Sequence, residues 1–146
     1  LIFISLHYDK IIETKKFKSK KLFNLHFSLL PAYKGMHTSA FPLLNGERYS
    51  GVTIHKIDDG IDTGDIISIK RYDLRGDENL KILNKRVENN SIVLLIIVVK
   101  LILKNKRINY YSQKIKENQY YKMSRSQRKK AENNLSRYLS GIYTPY

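Results

Sequence analysis

The stretch Leu22–Gly35 reads Leu-Phe-Asn-Leu-His-Phe-Ser-Leu-Leu-Pro-Ala-Tyr-Lys-Gly, and the predicted fold is built outward from it. Its first five residues predict a short strand, whose side chains point alternately to the two faces of a sheet. The alternation puts Asn24 and His26 on one face, at the carboxyl end of the strand, where open α/β sheets bind ligands. Pro31 and Gly35 bracket the loop that follows.

Three further strands are expected from short apolar or alternating runs, at 1–5, 52–57 and 66–72. The first reads as a buried strand. The last two read as an antiparallel pair at the sheet edge, because a tight loop rich in Asp and Gly joins them at 58–65. Strand, crossover, strand and then a long helix predict an α/β layer architecture.

Helices are expected at three places: a short exposed helix or turn within 10–21, a short helix at 38–44 and a long helix from 78 to about 103. Thr38 is the predicted N-cap of the second helix and Asp77 that of the third, while Asn45-Gly46 ends the second helix as an αL cap. Lys100 interrupts the apolar run of the long helix, which is too short for the ~20 residues that span a membrane.

Composition limits the function classes. The chain has no cysteine, which excludes disulfides, thiolate catalysis and Cys-ligated metals and indicates a reducing cytoplasm. The net charge is +14, and residues 100–146 carry 12 of the 27 Lys and Arg but two of the 13 Asp and Glu. A basic tail suits nucleic acid or anionic lipid. A general bias toward Lys, Ile, Asn and Tyr explains the same charge without a partner, and we favour it.

Asn24, His26 and Asp62 form a candidate site for attack on a carbonyl carbon. A carboxamide donates a hydrogen bond to a carbonyl oxygen, and a carboxylate beside an imidazole holds its tautomer and raises its basicity. Ser28 has no evident base beyond His26, so the reaction would use no protein nucleophile. Each residue alone is more often a satisfied polar group or turn residue, and only their combination indicates chemistry.

Two blocks of the sequence resemble signatures of the formyltransferase family, which includes glycinamide ribonucleotide and methionyl-tRNA formyltransferases. Asn24–Gly35 resembles the pattern Asn-x-His-x-Ser-x-Leu-Pro-x-Tyr-x-Gly, and Gly51–His55 followed by Asp58–Ile67 resembles the second signature. The resemblance is dense over about 22–70. It implies a Rossmann-like formyltransferase fold, of which this chain would be the C-terminal portion of a mostly parallel sheet flanked by helices.

The resemblance also implies a role for each matching residue. The family moves a formyl group from the co-substrate N10-formyltetrahydrofolate to a primary amine, with no metal. Asn24 and His26 would stabilise the oxyanion, and Asp62 would orient and charge-balance His26 and help relay the amine proton. The implied co-substrate contacts are His55, Asp58, Asp59, Gly60 and Ile61. The implied acceptor contacts are Ser28, Tyr33, Lys34, Gly35 and Met36.

The acceptor is predicted from Phe27 and from Tyr33–Ala40, which reads Tyr-Lys-Gly-Met-His-Thr-Ser-Ala. These residues resemble the branch that formylates amino sugars on nucleotide carriers, such as dTDP-4-amino-4,6-dideoxyhexoses. The other branches usually have proline in place of Phe27. The resemblance implies a sugar-nucleotide substrate, a homodimer, a place in lipopolysaccharide O-antigen biosynthesis and neither a nucleic-acid nor a membrane partner.

Three alternatives stay open at this point. The basic tail favours a methionyl-tRNA formyltransferase, and a formyltetrahydrofolate hydrolase would use similar residues with water as acceptor. The third is a truncated, non-catalytic fragment whose tail binds a partner. Because an apolar run opens at Leu1 with only 23 residues before Asn24, we expect a partial catalytic domain at 1–104, lacking its upstream part. A basic extension would follow at 105–146, with a helix from Ser124 to about Leu139.

Overall fold

A computed structural model of the chain describes residues 1–6, 8, 10–35, 38–45, 47–75, 78, 80–104, 107–113 and 120–121. Its elements follow in the order β1 (Phe3–Leu6), β2 (Leu22–His26), β3 (Lys34–Gly35), α1 (Phe41–Leu44), β4 (Tyr49–Lys56), β5 (Ile66–Asp73), α2 (Leu80–Leu103) and β6 (Tyr120–Tyr121). A short 3-10 turn, Thr14–Lys16, lies between β1 and β2 and is exposed, as predicted for the basic segment.

The main sheet has the strand order β1-β2-β4-β5. The pairing of β1 with β2 is parallel, while β2 with β4 and β4 with β5 are antiparallel. The predicted α/β class and the antiparallel pair at the edge are confirmed. The expectation of a mostly parallel sheet is corrected for these strands, since the short loop after β4 reverses the chain direction and a parallel partner would need a longer crossover.

The helix α2 lies across β4 and β5 and closes one side of the core. Its inward residues recur at helical spacing, so one apolar face meets the sheet while the other faces outward. The buried residues of this layer are Leu83, Val87, Leu94 and Val98 from the helix and Val52, Ile54 and Ile67 from the sheet. Burying each large apolar side chain contributes about 1.5–3 kcal/mol, which stabilises the position of β4 and β5, the two strands on either side of the loop 57–65.

The ends of the predicted elements differ from the structure in several places. The first strand begins at Phe3, because Leu1 is fully exposed and adds nothing to the core. The long helix begins at Leu80, and Glu78 precedes it as a buried carboxylate paired with Arg86. No helix among the described residues is long and apolar enough to cross a membrane.

The short helix α1 differs most from its prediction. Thr38 is not its N-cap: the helix follows Ala40, without a side-chain cap, and the buried Thr38 hydroxyl faces His26. Asn45 closes the helix with φ −91°, which is not left-handed. Four predictions lie outside the described residues: those for Met36, Gly46 and Asp77 and for the helix from Ser124 to Leu139.

Candidate active site

The Asp62 carboxylate lies at the centre of the candidate site. Its Oδ1 is 3.3 Å from Nδ2 of Asn24 and 3.3 Å from Nε2 of His55. Its Oδ2 accepts a hydrogen bond of 2.8 Å from the Gly35 amide and lies 3.4 Å from Nδ1 of His26. The structure therefore brings Asn24, His26 and Asp62 together as predicted, and adds His55 and Gly35 to them.

The strand pairing explains why these groups meet. Asn24 on β2 stands directly opposite His55 on antiparallel β4, so that Nδ2 of Asn24 and Nε2 of His55 are 3.3 Å apart. Residues directly opposite each other on antiparallel strands have neighbouring side chains. The loop from β4 to β5 then turns back over the end of β2, which places Asp62 above both side chains.

Asp62 has a left-handed backbone, with φ 53°. Asp and Asn adopt this conformation more readily than most residues, because their short polar side chains hydrogen-bond locally. Gly64 lets the loop lie flat on β4, since a Cβ there would fall on the carbonyl oxygen of Lys56. The Asp- and Gly-rich loop thus aims one carboxylate into the site.

Both ring nitrogens of His26 face oxygen atoms. Nε2 is 2.8 Å from the Tyr33 carbonyl, which only accepts, so Nε2 carries a hydrogen and donates it. A second proton at Nδ1 would face the Asp62 carboxylate. Burial lowers the pKa of His26 below its usual value, and the charge of Asp62 opposes that shift.

The carboxyl of Asp62 is held in its ionised form. Burial by itself would raise its pKa, but the hydrogen bond to His55, the charge of His26 and the Gly35 amide together bring the pKa below its usual value. A carboxylate with these partners stays ionised until its surroundings change. Binding of a charged or proton-bearing group beside it is one such change.

The residues predicted to contact the acceptor substrate have different surroundings. Ser28 is fully buried and donates to the carbonyls of Ala32 and Tyr33, at 2.8 and 3.1 Å, so its hydroxyl shapes the loop. The Tyr33 hydroxyl donates to Glu47 and accepts from Asn45. For both side chains, contact with a substrate stays a prediction, and their hydrogen bonds indicate support of the loop after β2.

Lys34 differs from the other residues predicted to contact the acceptor substrate, because its ammonium group makes no hydrogen bond to the described residues. Its side chain is 2% exposed, and Nζ has no hydrogen-bond partner within the described ranges. Burial lowers its pKa, while Asp62 and then Asp58 oppose the shift. A buried ammonium is costly without a partner, so this position suits an anionic ligand group.

Four of the five predicted co-substrate residues lie on the loop beside Asp62, and the fifth, His55, lies on β4. Asp58 accepts hydrogen bonds from the Gly60 amide at 3.1 Å and from the Thr63 hydroxyl at 2.7 Å, which closes the loop on itself. Asp59 accepts a hydrogen bond of 2.9 Å from Thr14. Ile61 is exposed at the tip, where an apolar side chain is available to a ring system.

Sequence reasoning missed two contributors to the site. Gly35 was predicted to contact the substrate that accepts the formyl group, but its amide donates a hydrogen bond to the Asp62 carboxylate. Gln113 was left without a role, but its side chain reaches the backbone of the Asp62 loop. Neither has a local signal, because each contact joins segments far apart in the chain. Among the residues described, no group of His, Cys, Asp and Glu is arranged to hold a metal ion.

Comparison with known proteins identifies the family. The sequence model of the family described as Formyl transferase matches residues 3–99, which is more than half of the chain. This chain belongs to the formyl transferase family. The resemblance stated from the two sequence blocks is therefore confirmed, together with the Rossmann-like formyltransferase fold.

Relatives within the formyl transferase family differ in their acceptors. A methionyl-tRNA formyltransferase from Kosmotoga olearia is 38% identical over 103 residues, which cover 69% of this chain and 33% of that protein. The N-formyltransferase from Helicobacter canadensis, in complex with folinic acid and dTDP-3-aminofucose, is 39% identical with a TM-score of 0.78, covering 87% of this chain and 46% of the other.

The match to a third relative covers a larger share of that protein's own length. The formyltransferase PseJ from Anoxybacillus kamchatkensis, in complex with UDP-4,6-dideoxy-4-formamido-L-AltNAc and tetrahydrofolate, is 26% identical with a TM-score of 0.77. That match covers 97% of this chain and 78% of the other. The chain thus spans about a third of the curated relative and just under half of the Helicobacter structure.

Proposed function

We propose that this chain carries the catalytic residues of a folate-dependent N-formyltransferase acting on the amine of a nucleotide-linked amino sugar, of the dTDP-4-amino-4,6-dideoxyhexose type. The observation that supports it most is the Asp62 carboxylate, held between Asn24 and His26 at the end of β2. A hydrogen-bond donor beside an ionised carboxylate suits the two needs of acyl transfer, a partner for the carbonyl oxygen and a group for the amine proton.

The co-substrate N10-formyltetrahydrofolate would supply the formyl group. The acceptor nitrogen forms a bond to the formyl carbon as the bond from that carbon to N10 breaks, and the amine proton replaces the formyl group on N10. The residues present fit this group. Asn24 is partly exposed with an N–H donor, and Ile61 offers an apolar contact on the adjacent loop.

Asn24 is the donor we assign to the negative charge that develops on the formyl oxygen. One hydrogen of its Nδ2 faces Oδ1 of Asp62 and the carboxamide is held in place by it. The second hydrogen on the same nitrogen faces Nε2 of His55 at 3.3 Å, and it would turn from that contact to the oxyanion when the formyl oxygen binds. His26 is less suited to this task here, because it is buried and its Nε2 hydrogen is given to the Tyr33 carbonyl at 2.8 Å, a shorter contact than either of those made by Asn24.

Asp62 is the group we assign to the amine proton, and His26 acts through it. Nδ1 of His26 lies 3.4 Å from Oδ2 of Asp62, so a proton taken up by the carboxylate would pass to the imidazole when this contact shortens. The Gly35 amide donates to the carboxylate and Nε2 of His55 lies 3.3 Å from it, so the carboxylate is oriented before the acceptor arrives.

The sugar nucleotide is favoured as acceptor by two features. The ammonium of Lys34 has no hydrogen-bond partner among the described residues, and it would pair with the diphosphate of such a substrate once binding uncovers it. Phe27 and the Tyr33–Ala40 run resemble the amino-sugar branch. The Helicobacter and Anoxybacillus proteins, with nucleotide sugars in their crystal structures, support the same class. A cytoplasmic location, a homodimer and a place in O-antigen biosynthesis stay predictions.

A second candidate is formyl transfer to methionyl-tRNA. Its support is the 38% identity to the Kosmotoga enzyme and the basic composition of residues 100–146. A tRNA acceptor would meet exposed cations along its phosphates, whereas a sugar nucleotide needs one enclosed cationic site. The buried position of Lys34 is the reason we place the sugar nucleotide first.

The test compares the two acceptors on the same protein. The full chain is incubated with N10-formyltetrahydrofolate and either a dTDP-4-amino-4,6-dideoxyhexose or methionyl-tRNA, and mass spectrometry follows the gain of one CO by the acceptor. Thermal shift with folinic acid is measured in parallel, because a ligand that binds the native state raises Tm.

We expect the sugar nucleotide to gain the formyl group, and Asn24→Ala to lower kcat roughly 100-fold or more, as loss of one oxyanion donor does. Asn109→Ala, an exposed asparagine distant in sequence from the site, is the matched control and should keep the activity. Formylation of tRNA alone would establish the second candidate. No transfer to either acceptor, with no Tm rise from folinic acid, would reject the proposal for this chain.

A further inference from the structure

Gln113 contacts the backbone of the loop between β4 and β5, residues 57–65, which is called the site loop below. Its Nε2 donates hydrogen bonds to the carbonyl oxygens of Asp62, at 2.9 Å, and Gly64, at 2.7 Å. Both partners are acceptors only, so the nitrogen and not the oxygen of the carboxamide must face them. Both N–H groups of one side chain are therefore used on the backbone of a single loop.

The segment that carries Gln113 is attached at both ends of that loop. The backbone of Tyr111 exchanges two hydrogen bonds of 2.8 Å with Ile66, the first residue of β5. The ammonium of Lys56, the last residue of β4, lies 5.0 Å from the centre of the Tyr110 ring. Tyr110, Tyr111 and Gln113 thus contact the strand before the loop, the strand after it and the loop itself, respectively.

Asp62 needs such support. Its backbone has a positive φ of 53°, a conformation that persists in a non-glycine residue only when its surroundings hold it. Its carboxylate is contacted by Asn24, His55 and the Gly35 amide. Its backbone carbonyl accepts a hydrogen bond from Gln113.

We propose that Gln113 is a positioning residue of the formyl-transfer site, which keeps the Asp62 carboxylate at its place between Asn24 and His26 by holding the loop carbonyls. The inference rests on the proposed function for its effect on catalysis, but its structural part does not. Gln113 lies beyond residues 3–99, so the match to the family sequence model does not assign it this role.

The test uses three variants of the full chain. Gln113→Met keeps the length and removes both donors, Gln113→Lys restores N–H donors on a side chain one bond longer that also carries a positive charge, and Asn109→Met is an exposed control in the same segment. Carbon-detected NMR measures the titration of the Asp62 carboxyl, hydrogen exchange measures the amides of Gly60 and Gly64, and steady-state kinetics measures kcat and KM.

We expect Gln113→Met to raise the pKa of Asp62 toward its ordinary value, to speed exchange of the loop amides and to lower kcat roughly 10- to 100-fold with little change in KM, since small displacements of a catalytic group have effects of this size. Gln113→Lys should stay near wild type, and Asn109→Met should match it. If Gln113→Met fails to fold, Gln113→Asn, one methylene shorter, gives the same comparison.

Two results would overturn the inference: an unchanged Asp62 titration with unchanged loop exchange in Gln113→Met, or equal impairment in Gln113→Lys. The NMR and exchange results require no turnover. If they change as expected while the wild-type chain transfers no formyl group to any acceptor, the proposed function fails and the structural part of the inference stands.

Discussion

Nδ1 of His26 lies 3.4 Å from Oδ2 of Asp62, and both side chains are nearly buried, with 6% and 11% of their surfaces exposed. The two residues come from different segments, β2 and the loop between β4 and β5. Each affects the ionisation of the other: the carboxylate favours the charged imidazole, and the imidazole charge favours the carboxylate. Their protonation is therefore coupled, and the first two predictions test that coupling.

Replacing Asp62 by Asn removes the charge and keeps the shape. Asn also tolerates the left-handed backbone, so the loop should keep its conformation. We expect the pKa of His26 to fall further, since Asp62 raises it, and kcat to fall roughly 100-fold or more if Asp62 takes the amine proton. NMR titration of the imidazole measures the first effect, with Asp73→Asn, an exposed carboxylate, as control. An unchanged His26 titration would contradict the coupling.

Stability should fall as the solution becomes acidic. The pKa values of His26 and Asp62 are lowered in the folded protein, so the unfolded chain binds more protons as pH falls below their ordinary values of 6.5 and 3.8. The free energy of unfolding therefore decreases below about pH 6.5 through His26 and again below about 3.8 through Asp62. Urea denaturation across this range measures it. His26→Gln should flatten the upper part of the curve, and equal slopes for both proteins would contradict the prediction.

Thr53 should contribute more to stability than its size suggests. Its hydroxyl is fully buried, donates to the Ser28 carbonyl at 2.7 Å and accepts from the Leu30 amide at 3.2 Å, which fixes the loop after β2. Thr53→Val keeps the shape and leaves both partners unsatisfied, at a cost of about 1–3 kcal/mol. Chemical denaturation measures the loss. Thr14→Val removes an exposed hydrogen bond to Asp59 and should cost clearly less; a similar loss in both variants would show that burial does not matter here.

The two glycines beside Asp62 should differ in their tolerance of a methyl group. In Gly64→Ala the added carbon meets the backbone carbonyl of Lys56, which cannot move without disturbing β4. In Gly60→Ala it meets the side chain of Thr63, which rotates at the expense of one exposed hydrogen bond to Asp58. We expect Gly64→Ala to cost about 1–3 kcal/mol and Gly60→Ala less. Tm measurements decide, and the reverse order would show that the loop does not rest on β4.

Local sequence pattern was sufficient for the elements that have a clear period or clear turn residues. The alternation in Leu22–His26 placed Asn24 and His26 on one face, and both reach Asp62. The loop at 58–65 and the strand after it were predicted from Asp and Gly followed by apolar residues, and both are present. The cap assigned to Thr38 was wrong, because the helix begins after Ala40, and the buried Thr38 hydroxyl lies 3.5 Å from Nε2 of His26 instead.

The sequence by itself determined the residue types of this site and the order in which they occur, because strand alternation and turn chemistry are local properties. Only the tertiary structure decided their relationships. The register of β2 with β4 sets His55 beside Asn24, the loop after β2 brings the Gly35 amide to Asp62, and Gln113 contacts the backbone of the β4–β5 loop that carries Asp62. These contacts join segments distant in the chain, so their geometry depends on the tertiary packing of those segments, which no local pattern encodes.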